Sequence, residues 1–151
     1  CKSMAIQQFK AIGKMDMGKG LQVTANARQF QMTIDEPESL GGLDTGMTPV
    51  EVLLASLAAC KAIVVKAFAR LHRIKLQEIS IECIGDLDPD GFLLKNKEAK
   101  KGFSHIKTIY HIKAENTEEE ITKFVAFVES NCPVSDTLLN SPSVEEEINI
   151  L

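Results

Sequence analysis

Hydrophobic and polar residues change their period several times along this chain, and each change marks an element. Leu21, Val23 and Ala25 alternate with polar residues, and Phe30, Met32 and Ile34 repeat the alternation, so each run presents one apolar face when extended. Met4 to Met15 carries apolar residues without a helical period, and Met17-Gly18-Lys19-Gly20 reads as a turn. Three antiparallel strands are expected here. The segment Asp35 to Met47, with Pro37 and three glycines, is a long loop. Loops of that length inside a small domain are more often functional or partner-contacting than idle.

The period then becomes helical. Thr48 is placed to cap a helix, Pro49 fits its first position, and Glu51 completes a capping box. No glycine or proline interrupts the chain from there to about His72. The charges in this stretch are Glu51, Lys61, Lys66 and Arg70, and apolar residues take nearly every side, which predicts a long central buried helix. Leu76 to Ile84 reads as a strand with Ile79, Ile81 and Cys83 on one face. Asp88-Pro89-Asp90-Gly91 supplies a turn, and Phe92 to Leu94 is its expected return strand. Phe103 to Ala114 is a long strand with Ile106, Thr108, Tyr110 and Ile112 on one side. Thr117 and Glu120 cap a second helix bearing the stripe Ile121, Phe124, Val125 and Val128. Cys132-Pro133 opens a short third helix to about Leu139, and Val144 to Leu151 closes as a strand. The order β-β-β-α-β-β-α-α-β is an α+β fold.

Composition narrows the function. A chain of 151 residues suits one domain, 1–151, and 44% apolar with 25% charged residues is ordinary for a soluble globular protein. A net charge of -4 argues against a nucleic-acid partner, which needs a basic face. Lys95, Lys97, Lys100 and Lys101 cluster, but with Glu98 among them they read as a solvated loop. No run reaches a membrane span, Val52 to Cys60 being the longest candidate, and no signal peptide is recognisable. The first Met is Met4, so Cys1, Lys2 and Ser3 are expected to be a remnant of expression and Cys1 is set aside. Cys60, Cys83 and Cys132 remain. An odd count without short spacings does not form a secreted disulfide framework, so a reducing, cytoplasmic location is expected.

Two of these cysteines carry the candidate chemistry. Cys60 lies about three turns into the apolar helix, where a cysteine serves either as a small buried filler or as a reactive thiol. Cys132 falls where a helix N-cap belongs, a position that is either structural or one where backbone N–H groups favour a thiolate and lower its pKa.

The blocks around them carry a resemblance. Thr48-Pro49-Val50-Glu51 followed by Leu54-Ala55-Ser56-Leu57-Ala58-Ala59-Cys60 resembles the first cysteine motif of the osmotically inducible protein C and organic hydroperoxide resistance (OsmC/Ohr) family. Cys132-Pro133-Val134-Ser135-Asp136-Thr137-Leu138 is similar to its second. The element order fits over essentially the whole chain. The resemblance implies an OsmC-like fold in an intertwined homodimer, with the central helices packed against each other and the sites at the interface. It implies thiol-dependent reduction of organic hydroperoxides, a role in oxidative stress, without metal or flavin. Cys60 would be the attacking cysteine, Cys132 would resolve its sulfenic acid as a disulfide, and a dithiol or lipoyl-type reductant would restore both. The two sulfurs are accordingly expected to be close in the reduced protein.

The chain also departs from the pattern. Well-characterised members hold an arginine near the cysteine with a glutamate directly after the helix-opening proline, where this chain has Val50. Glu51 is one residue later, about half a turn out of phase with Cys60, which suits capping; a less studied branch does place a glutamate there. The loop Asp35 to Thr48 contains no basic residue, so Arg28 is the nearest candidate cation from this chain, ahead of Lys14 and Lys19. A zinc site from His72, His105, His111 and Cys83 lacks the usual local ligand pairs. The expected function is therefore a Cys60/Cys132 peroxidase. The alternative is a non-catalytic OsmC-like dimer that senses oxidation or binds a hydrophobic small molecule.

Overall fold

Alternation builds the first sheet as expected. A computed structural model describes residues 5–151. Strands β1 (Ile12–Met15), β2 (Val23–Ala27) and β3 (Phe30–Ile34) form an antiparallel meander in the order β1-β2-β3. Ala27 pairs with Phe30, so Arg28 and Gln29 make a two-residue hairpin turn, and Arg28 takes a positive φ of 53° there. The first strand is shorter than the Met4 to Met15 pattern suggests, and Met4 lies outside the described residues.

The loop after β3 is held by one side chain. Asp35, 1% exposed, accepts hydrogen bonds from the backbone N–H groups of Glu36, Leu43 and Thr45 and from the Thr45 hydroxyl at 2.6 Å. The loop also closes on itself through a parallel bridge between Ile34 and Met47. A side chain at Gly42 would overlap the Glu36 carbonyl oxygen, and one at Gly46 the Thr33 carbonyl oxygen, so both positions demand glycine. Helix α1 (Pro49–Phe68) follows from the predicted cap: Thr48 N–H donates to Glu51 Oε1 at 2.9 Å and Glu51 N–H donates to Thr48 Oγ1 at 3.2 Å.

Contacts divide the chain into one unit ending at Leu53 and a second, Leu54–Leu151. In the second, β4 (Leu76–Leu87) pairs antiparallel with β5 (Phe103–Ala114), matching Ile81 with Tyr110 and Cys83 with Thr108. Helix α3 (Glu118–Asn131) starts at the predicted Thr117–Glu120 capping box, and α4 (Pro133–Leu139) follows with Cys132 between them. The apolar stripes of α1 and α3 meet in a core of Val64, Val65, Ala69, Ile74, Phe124 and Val128, backed by Ile79, Ile81 and Tyr110.

Three expectations need correction. The segment after Asp88 is a single helical turn, α2 (Pro89–Phe92), and not a return strand, because the Asp88 carboxylate caps Asp90 N–H at 3.0 Å and β5 already fills the edge beside β4. Val144 to Leu151 forms no strand: no described strand pairs with it, and Ile148 and Ile150 are 85% and 90% exposed. Finally, α1 is buried on one stripe only, through Leu57, Lys61, Val64 and Val65, while Ile63 is 67% exposed. The stripe that a single chain buries here is thus one helix face, and it contains a lysine.

Candidate functional site

Cys60 sits on α1, partly buried, and Cys132 is fully buried at the α3–α4 junction. Proline at the first position of α4 breaks the helical run and turns Cys132 into the cap of both helices; its sulfur accepts the Ser135 N–H at 3.4 Å. The two thiols are neighbours, close enough for Cys60 to perturb the Cys132 thiol. Both are free thiols. Burial pushes the Cys132 thiol up, the neighbouring Cys60 thiol pushes it further, and the N–H groups of Ser135 and Val134 only partly offset this. The expectation of a lowered pKa at Cys132 is therefore overturned, because desolvation outweighs two backbone N–H groups at a short helix. Cys132 is held as S–H beside the Cys60 thiol.

A polar cluster lies in the same unit. Lys61, the residue after Cys60, is 4% exposed. Its ammonium donates to Glu129 Oε2 at 2.7 Å, Glu129 Oε1 at 2.9 Å and Thr108 Oγ1 at 3.0 Å, so each of its three protons has an acceptor. The Tyr110 hydroxyl donates to Glu129 Oε1 at 2.9 Å. Thr108 Oγ1 also meets Cys83 Sγ at 3.7 Å. Burial, then the Glu129 hydrogen bond and charge, then the Cys132 and Cys83 thiols, drive the Tyr110 phenol far above its ordinary range. Tyr110 is thus a permanent donor, and the cysteines lie within its electrostatic reach.

Sequence reasoning named Lys61 only as a charge on a helix and missed Glu129. The available signal was phase: Lys61 falls four residues after Leu57 and four before Val65, squarely on the buried stripe, and Glu129 stands one turn before Cys132.

The other candidates occupy the first unit or its caps. Glu51 is engaged by Thr48, whose backbone N–H and hydroxyl hold its carboxyl below the usual range. Arg28 lies over the Phe30 ring, 4.9 Å from its centroid, at the hairpin turn. Lys14 on β1 and Lys19 in the following turn are exposed. Among the histidines, His72 lies tilted against the Phe127 ring at 4.2 Å between centroids, and His111 bonds Glu82 at 2.7 Å.

The family model described as OsmC-like protein matches residues 42–147, which include both cysteine blocks. The chain belongs to the OsmC-like family. A hydroperoxide reductase of Mycoplasma genitalium is 28% identical over 130 residues, covering 85% of this chain and 86% of that one. A hydroperoxide reductase of Mycoplasma pneumoniae is 27% identical over 132 residues, with the same coverage. In structure, this chain resembles the OsmC-like protein of Mycoplasma pneumoniae with a TM-score of 0.76 at 24% identity, over 89% of each chain. The OsmC-like fold, with small antiparallel sheets and a long helix, is thereby shown. No helix among the described residues is long and apolar enough to cross a membrane.

Proposed function

We propose that this OsmC-like protein is a thiol-dependent peroxidase that reduces organic hydroperoxides through Cys60 and Cys132. The observation that carries the reading is the proximity of two free thiols brought together from separate elements, one of them buried and protonated. The hydroperoxide reductases among its relatives support the substrate class. In the proposed cycle the Cys60 thiolate attacks the O–O bond, an alcohol leaves with one proton, and Cys60 becomes a sulfenic acid. Cys132 condenses with it, forming the disulfide and releasing water. A dithiol or lipoyl-type reductant in a reducing cytoplasm then returns both thiols.

The same reading includes a homodimer. Its support is the exposed apolar surface of a single chain: Ile63 on the central helix, which the family resemblance places against its partner, and Val144, Ile148 and Ile150 near the end of the chain. Light scattering at micromolar concentration is expected to give twice the chain mass.

One observation favours the alternative, a dimer that senses oxidation or binds a hydrophobic molecule without turnover. Glu51 is committed to capping Thr48, and Val50 stands where well-characterised members keep a glutamate. Consumption of tert-butyl hydroperoxide with excess dithiol separates the readings. Wild type is expected to turn over, Cys60→Ser to be inactive, and Cys132→Ser to form one sulfenic acid and then overoxidise. Equal rates for Cys60→Ser and wild type would sink the peroxidase reading.

A further inference from the structure

Lys61 and Glu129 stand on the two helices that lead to the thiols. Lys61 is the next residue after Cys60 on α1, and Glu129 lies one turn before Cys132 on α3. Their ion pair at 2.7 Å therefore ties together the two backbones that carry the reacting sulfurs. It is a demanding tie. Lysine is almost never fully buried, and an ion pair removed from water usually stabilises a fold no better than apolar residues of similar volume. Yet the chain buries Lys61 in the helix stripe that also carries Leu57, Val64 and Val65, and leaves Ile63 67% exposed on the same helix. The cost is met by full satisfaction: Thr108 takes the third ammonium proton, and the Tyr110 hydroxyl fixes Glu129 Oε1 from the strand below. With every Lys61 proton used, the residue has none left for a peroxide.

We propose that the Lys61–Glu129 pair is a positioning clamp that holds Cys132 against Cys60, so that oxidised Cys60 is resolved before it can be oxidised again. The step it serves is Cys60–SOH + HS–Cys132 → Cys60–S–S–Cys132 + H2O, in which Cys132 loses its proton to the departing hydroxyl. A disulfide needs its Cα atoms about 4.4–6.8 Å apart with converging side chains, so small shifts of α1 against the α3–α4 junction decide the rate. A distance clamp of this kind contributes to one step of the cycle and leaves the first attack on the peroxide intact. The biological use of the clamp rests on the peroxidase reading; the geometry does not.

The test uses the reduced protein and diamide, whose N=N bond takes two electrons and two protons from two thiols as the disulfide forms. Disulfide formation is followed by mass and thiol titration, and folding by thermal melting. Lys61→Met and Glu129→Gln are expected to slow it roughly 10- to 100-fold, as misplacement of reacting groups does. Under organic hydroperoxide both should accumulate Cys60 sulfinic acid, which wild type avoids. Should either single variant unfold, Lys61→Met/Glu129→Leu replaces the pair with apolar bulk, and it too should fold and remain slow. Wild-type disulfide rates in any folded variant overturn the clamp. A wild type that forms the disulfide with diamide, slows in the variants, and yet consumes no organic hydroperoxide supports the clamp and overturns only the peroxidase reading.

Discussion

Asp35 in the first unit and Lys61 in the second are both buried charges, and they are satisfied by different means. Asp35 draws every partner from the next ten residues: the N–H groups of Glu36, Leu43 and Thr45 and the Thr45 hydroxyl. Lys61 draws its partners from Thr108 and Glu129, on a strand and a helix far along the chain. The first arrangement organises a loop and can form as soon as that loop does. The second forms only when α1, β5 and α3 are packed, and it is the one beside the thiols. A local charge site shapes backbone; a tertiary one fixes distances between elements. Functional geometry in this protein belongs to the second kind.

The largest expected effect breaks the packed region on which the tertiary site stands. Phe124 is 2% exposed in the core, so Phe124→Ala should cost about 3–5 kcal/mol in chemical denaturation. Lys61→Met comes next. A fully buried ion pair broken on one side costs ~3–5 kcal/mol, but the Glu129 side chain is 40% exposed and regains water, so about 2 kcal/mol is expected. Tyr110→Phe removes one hydrogen bond to a carboxylate that keeps both Lys61 contacts, and a loss of about 1 kcal/mol is expected. A loss for Lys61→Met no larger than for an exposed lysine would dissolve the contrast between the two charges.

The two regions should also weaken at opposite ends of the pH scale. The Asp35 carboxyl is held below its ordinary 3.8, by the Thr45 hydroxyl first and then by backbone N–H groups of its loop. Its contribution is complete above 3.8 and is lost as pH falls through the lower folded value, because the unfolded chain takes up the proton before the folded loop does. Cys132 is shifted the other way, upward from 9.0, chiefly by burial. Its neutral form is favoured in the fold, so its contribution is complete below pH 9.0 and is lost as pH rises toward the folded value. Melting from pH 2 to 10 should show Cys132→Ser flattening the alkaline decline alone. Asp35→Asn should have the smallest global effect: faster amide exchange at Leu43 and Thr45, read by hydrogen exchange, with little change at the core amides of α3.

Much of this was legible in the residues. Caps are local, so Thr48–Glu51 and Thr117–Glu120 announced two helices, and both boxes are closed. Alternation located β2, β3 and β5, because a strand's period is written in its own side chains. Motif likeness picked out Cys60 and Cys132. The misses have one physical origin. Phe92 to Leu94 and Val144 to Leu151 look like strands by composition, but a strand exists only where another offers a ladder, and none among the described residues pairs with either. The thiol pKa at Cys132 was misjudged because the N–H groups are visible in sequence and the burial opposing them is not.

Sequence by itself thus determined what neighbours within a turn or a hairpin can settle: where helices begin, which faces are apolar, and which cysteines to compare. Tertiary structure decided what needs two distant segments at once. It buried Lys61 in place of Ile63, set Glu129 and Thr108 around it, and raised the Cys132 thiol by withdrawing it from water against Cys60. Hydrogen bonds and periodicity act over a few residues, whereas desolvation and ion pairing depend on which surfaces happen to meet, and that is fixed only when the chain has packed.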